Sequence, residues 1–132
     1  MTKKKRYLLD SNIVIYSALP ENAHLREFID RHSPSVSAIT RLEVLGYSRI
    51  TPADRRIFEL FFEVSKVWPV SEVVIDLAIQ LRQIKSMSLG DAIIGATGLW
   101  HNLHIVTRNT KDFAHIEGLK VYNPMKEGPG SS

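Results

Sequence analysis

Tyr7-Leu8-Leu9-Asp10-Ser11-Asn12-Ile13-Val14-Ile15-Tyr16 is an apolar run that halts at three turn and cap formers and then resumes. A short apolar run without polar alternation fits a strand buried on both faces, and the cap formers open a helix behind it. A strand that feeds a helix directly leaves Asp10 at the seam.

Outward from this stretch the pattern repeats. Residues 23–31 predict a helix closed by the Ser33-Pro34 breaker, and 35–39 predict a second strand. Thr40-Arg41-Leu42-Glu43 fits a capping box opening a helix to about Ile50, with Leu42, Leu45 and Ile50 offered to the core. Thr51-Pro52-Ala53-Asp54 starts another, because Thr caps, Pro suits the first helical position and Asp favours the positive end of the dipole. Val67-Trp68-Pro69-Val70 reads as a brief strand. Ser71 caps a helix whose apolar positions Val74, Leu77, Ala78, Leu81 and Ile84 follow the 3.6-residue period. Ser88-Leu89-Gly90-Asp91 opens the next, with Ala92, Ile93, Ala96, Leu99 and Trp100 on one face and Gly95 and Gly98 permitting a close neighbour. His104-Ile105-Val106 and Val121-Tyr122 complete the strands. Such alternation predicts one α/β domain, a mostly parallel sheet covered by helices, with functional groups at the carboxyl ends of the strands.

Composition sets the limits. The chain has 132 residues, 44% of them hydrophobic, enough for one core. With no cysteine, disulfides, thiolate zinc sites and cysteine nucleophiles are excluded. No apolar run is long enough for a signal peptide or a membrane span, so the expectation is a soluble, cytoplasmic protein. The net charge of +3 is compatible with a nucleic-acid partner without requiring one. Lys3 to Arg6 reads as a solvated tail outside the site, and Arg82, Lys85, Arg108 and Lys111 as candidate phosphate contacts. G-x-S-x-G and the phosphate loop are absent, and the histidines at 24, 32, 101, 104 and 115 show no zinc pattern; His101 and His104 read as helix-end and loop residues.

Four acids remain. Singly, Asp10, Glu43, Asp91 and Asp112 each have a plain structural explanation near a helix start. Jointly, Asp10, Glu43 and the Asn109–Asp112 segment each follow the carboxyl end of a predicted strand, and those ends share one edge of a parallel sheet. Asp91 follows a helix and a loop, so only packing of its own helix start brings it in. Converging carboxylates repel, which requires protons or a cation. All-oxygen ligands select Mg2+ or Mn2+.

In order and spacing, Leu8-Leu9-Asp10-Ser11-Asn12, Ser37 to Glu43, Leu89 to Thr97 and Thr107 to Phe113 resemble the PIN domain, specifically the VapC-type toxins of toxin-antitoxin pairs, over about residues 6–124. The resemblance implies a three-layer α/β/α sandwich around a mostly parallel sheet, a homodimer, a cognate antitoxin that blocks the site, and Mg2+- or Mn2+-dependent cleavage of RNA. It aligns Asp10, Glu43, Asp91 and Asp112 with the family's acidic quartet and Thr107 and Asn109 with its polar companions. Ser11 stands where Thr is commoner, Leu45-Gly46-Tyr47 departs from the usual aromatic-then-glycine order, and Gly95 and Gly98 replace alanines. Residues 125–132 are expected to be a disordered tail. Two alternatives are a catalytically silent PIN-like protein that binds RNA or a partner, and a receiver-type phosphoacceptor, whose acidic pair Ser11 and Asn12 do not supply.

Overall fold

A computed structural model describes residues 4–127. Its element order is β1 (Tyr7–Leu9), α1 (Ser11–Ser17), α2 (Ala23–His32), β2 (Val36–Ser37), α3 (Ala38–Leu45), α4 (Pro52–Val64), β3 (Val67–Trp68), α5 (Glu72–Ile84), α6 (Leu89–His101), β4 (His104–Val106) and β5 (Val121–Tyr122). Short 3-10 turns cover Pro20–Asn22, Thr110–Asp112 and Pro124–Glu127. Of the expected tail, 128–132 lies outside the described residues.

Every described strand pairing is parallel. β1 pairs with β4, β4 with β5 and β2 with β3. A bridge between Leu8 and Ser35, with Leu9 N–H donating to Ser35 O at 2.9 Å, joins the two sets into the order β3-β2-β1-β4-β5. Successive side chains of a strand point to opposite faces, so the two leucines of β1 serve different cores. Leu8 packs with Ile105, Val74, Leu81, Ile94 and Phe113 under α5 and α6. Leu9 packs with Val106, Ile13, Val14, Phe58 and Phe62 under α1 and α4. Neither leucine is exposed, and burying each contributes about 1.5–3 kcal/mol. Helices on both faces of one parallel sheet give the expected three layers.

Helix α6 lies close to its surroundings because two of its positions lack side chains. A Cβ on Gly95 would sit 2.9 Å from Ile116 Cδ1, and one on Gly98 2.7 Å from Ile105 Cδ1. Its start packs against α3 and β2. Ser33 (φ 44) and Asn102 (φ 56) end α2 and α6 in the left-handed conformation, which turns the chain sharply toward the next strand.

Several sequence expectations are corrected. The second strand is two residues long; Ala38 and Ile39 already belong to α3, because Ser37 caps that helix by accepting Ile39 N–H at 3.1 Å. Thr40 is therefore a buried residue of the first turn and no cap. α3 stops at Leu45, where Gly46 N–H donates to Leu42 O, and does not reach Ile50. Leu42, Ile84 and Trp100, assigned to the core by periodicity, are 66%, 76% and 56% exposed. His104 begins β4, as the strand expected over His104-Ile105-Val106 requires, and the other expectation, of a loop residue there, does not hold.

Candidate functional site

The ends of β1 and β4 are neighbours, and two side chains tie them. Asp10, leaving β1, caps α1: its Oδ1 accepts Ser11 N–H at 2.7 Å. Its Oδ2 accepts the hydroxyl of Thr107, the residue after β4, at 2.8 Å. Thr107 Oγ1 in turn accepts Asn109 N–H at 3.0 Å. Asp10 and Thr107 are buried, so this contact is a fixed part of the interior.

Glu43 arrives from α3, nearly two turns after the Ser37 cap. The Ser11 hydroxyl lies 2.7 Å from Glu43 Oε1 and 3.0 Å from the Thr40 hydroxyl. With one proton to give, Ser11 donates to the carboxylate, the stronger acceptor, and Thr40 donates to Ser11. α6 brings the third acid. A Cβ on Gly90 would stand 2.7 Å from Glu43 Oε2, so the missing side chain lets the start of α6, and with it Asp91, settle against the glutamate. Ser88 caps this helix by accepting Asp91 N–H at 3.1 Å.

Electrostatics records the convergence. Burial pushes the Asp10 carboxyl up to about 6, against the hydrogen bonds from Thr107 and Ser11, and the charges of Asp91 and Glu43 push it further. Burial also raises Asp91, followed by the charge of Asp112 and then Glu43, while a hydrogen bond with Ser88 opposes the rise. Asp112 thus acts on the cluster through Asp91. Both acids line a cavity of about 220 Å³ with Lys85, Ser88, Lys111 and His115.

Among the described residues none of these acids forms an ion pair; the one pair found, Arg55–Glu59 at 3.6 Å, lies on exposed α4. Nor, among the described residues, are three acidic or histidine side chains drawn to metal-binding distance of one point. The side chains fit a hard cation by chemistry, since Mg2+ takes one or two carboxylates and keeps several waters.

The remaining candidates are peripheral. Asn109 is exposed and joins through its backbone amide. The Arg108 guanidinium sits 4.2 Å above the Tyr16 ring. Arg82 Nε donates to Met87 O at 3.1 Å, bracing the turn before Ser88. Sequence reasoning missed Ser11, Thr40, Gly90 and His115. A hydroxyl beside an acid and a glycine before one are the only signals they left, and both are common.

A family model described as the PIN domain matches residues 7–119. The chain belongs to the PIN domain family. Among curated proteins no sequence matches. Among solved structures, this PIN domain is similar to a chain of a toxin-antitoxin complex from Klebsiella pneumoniae, with 30% identity, a TM-score of 0.72, and 89% of this chain and 97% of that one covered. A chain of FitAcB from Neisseria gonorrhoeae shares 25% identity at a TM-score of 0.73, covering 90% and 98%. A chain of DNA-bound VapBC from Salmonella typhimurium, at 21% identity and a TM-score of 0.77 over 90% and 98%, shares the fold. The expected PIN-type α/β sandwich is therefore present in this chain. No described helix is long and apolar enough to cross a membrane.

Proposed function

We propose that this PIN domain is a Mg2+- or Mn2+-dependent endoribonuclease and the toxin of a toxin-antitoxin pair, acting in the cytoplasm. The observation that carries the reading is the buried Asp10 carboxyl, oriented from both sides by Ser11 and Thr107 beside Asp91 and Glu43, with no lysine or arginine among the described residues paired to the group. Uncompensated acids at the carboxyl ends of parallel strands are suited to a divalent cation.

Asp10 and Asp91 would anchor the ion, and Glu43 and Asp112 would hold it directly, through waters, or with a second ion. When bound, such an ion lowers the pKa of an attacking water and offsets charge on the phosphate oxygens. The chain's own part is positional. Thr107 and Ser11 fix the Asp10 carboxyl so that its lone pairs point one way. Ser11 holds Glu43 toward Asp10. Lys85 and Lys111, beside Asp91 and Asp112, attract the RNA backbone that the acids alone would repel.

Partner binding is supported by unpartnered apolar surface. Ile75, Ile79 and Leu89 line an open groove between α5 and α6, and Ile57, Leu60 and Val64 are exposed on α4. A second copy of the chain and an antitoxin are the occupants this reading assigns, in keeping with the toxin-antitoxin complexes among its structural relatives.

The test is cleavage of total cellular RNA by wild type and Asp10→Asn, each with Mg2+ and with EDTA, followed by sequencing of the new ends. Cutting only by wild type with Mg2+ is expected. Equal cutting by a folded Asp10→Asn protein would overturn the assignment, and a silent binding protein would cut in neither condition.

A further inference from the structure

We propose that the edge where the strands begin, opposite the carboxylates, is a second nucleic-acid site: a basic cleft with aromatic walls that takes a single-stranded segment of RNA. That RNA is the occupant rests on the proposed ribonuclease activity. Because β1, β4 and β5 run parallel, Tyr7, His104 and Val121 lie together at their starts, as Asp10 and Thr107 do at the ends of β1 and β4. Two adjoining cavities of about 610 and 590 Å³ open there and share Lys5 and His104. Lys4, Lys5, Arg6, Arg31 and Lys120 line them, with Glu27 the one acid among the lining residues. Residues 4–6 are exposed and precede the first strand, as expected of a solvated tail, and they line the rim of these cavities.

The walls decide between single strand and duplex. Phe28 stacks with Tyr122 at 5.7 Å, stands edge-on to Tyr7 at 5.0 Å and lies 4.6 Å from His32. All four rings line the larger cavity and are only partly buried. A duplex offers phosphates but keeps its base faces stacked, whereas unpaired bases lie against aromatic rings. His24 also lines the larger cavity; both of its ring nitrogens are buried and, among the described residues, lack a hydrogen-bond partner, so they reach a ligand only if the ring turns outward. The cation density is felt by its neighbours. Burial, then Arg31 and Lys4, holds His32 below its usual pKa; burial, then Lys120 and Lys5, does the same to His104.

The arrangement answers a difficulty of the acidic end, which repels phosphate until its charge is offset. A basic edge captures the chain without that condition. Tyr7 and Asp10 are three residues apart along β1, about 10 Å, but Leu8 and Leu9 between them are buried, so one RNA strand engaging both ends would pass over the protein surface.

Fluorescence anisotropy of a short labelled single-stranded RNA, with the full chain in EDTA, tests this. Wild type is expected to bind it more tightly than duplex DNA of equal length. Arg31→Ala/Lys120→Ala, both exposed positions, should lower affinity about tenfold and flatten the salt dependence by about 1.4 in log-log slope. Phe28→Leu, checked for folding by thermal melting, should cost about fivefold through lost stacking. Ring signals of His32 and His104 should shift in NMR spectra as RNA is added. Unchanged binding in the Arg31/Lys120 variant, or duplex bound as tightly as single strand, would overturn the proposal. Cleavage with Mg2+ is scored separately: a protein that cuts RNA but ignores these substitutions loses only this site, and one that binds here but never cuts loses only the ribonuclease reading.

Discussion

The Thr107 hydroxyl donates to Asp10 Oδ2 at 2.8 Å across 97 residues of sequence, joining the ends of two adjacent strands inside the protein. This bond lowers the pKa of a carboxyl that burial raises. Thr107→Val keeps the shape and leaves the buried Asp10 Oδ2 without its donor, at a cost of about 1–3 kcal/mol. The pH-activity profile of this variant should move to higher pH, with kcat reduced more than KM altered. Thr107→Ser should restore the wild-type profile; failure of Ser to rescue would show that the hydroxyl is not what matters.

Asp10 also sets a pH dependence of stability. Its folded pKa of about 6 lies above the ordinary 3.8, so the folded state binds the extra proton between these values. Its favourable contribution is complete below about pH 4 and is lost as pH rises through 6. Near pH 7 the ionised form costs the metal-free protein about 3 kcal/mol. Asp10→Asn in EDTA should therefore melt several degrees above wild type at pH 7 and lose that advantage near pH 4, less whatever Thr107 forfeits by turning from donor to acceptor. Equal melting temperatures at pH 7 would count against a strained carboxyl.

Gly90→Ala separates folding from function. Alanine suits a helix better than glycine, by less than the about 1 kcal/mol of an interior position because Gly90 lies in the first turn of α6, but its Cβ would stand 2.7 Å from Glu43 Oε2. The glutamate, exposed and flexible, must turn aside. Melting should hold or rise while cleavage drops about tenfold or more, as a misplaced catalytic group implies. Gly98→Ala is the control, since its Cβ would meet Ile105 and Leu119 in the core; it should destabilise by about 1–3 kcal/mol.

Cleavage should weaken as salt rises, because phosphate contacts release counterions. Lys85→Ala/Lys111→Ala should raise KM and reduce that salt dependence; an unaltered salt response would remove both lysines from the RNA path.

Much of this was legible in the sequence because strand ends carry local signals. Leu8-Leu9-Asp10 and Ile105-Val106-Thr107 announce buried strands stopping at polar residues, and a parallel sheet then aligns their ends. Asp91 was not placed by that logic. Its position depends on α6 packing against α3 and on Gly90 yielding space to Glu43, which no local pattern encodes. Thr40 misled for a related reason: a capping box fits the residues, but Ser37, free at the strand end, takes the cap first. Leu42 and Ile84 obey the helical period yet face outward, because periodicity identifies an apolar stripe without naming what covers it.

Anomalous diffraction from crystals soaked in Mn2+ examines the metal centre itself. A peak beside Asp10 and Asp91, within reach of Glu43 or Asp112 directly or through water, is expected, together with its loss in Asp10→Asn crystals. A map with no peak at these acids at millimolar Mn2+, or the same peak retained after Asp10→Asn, would contradict it.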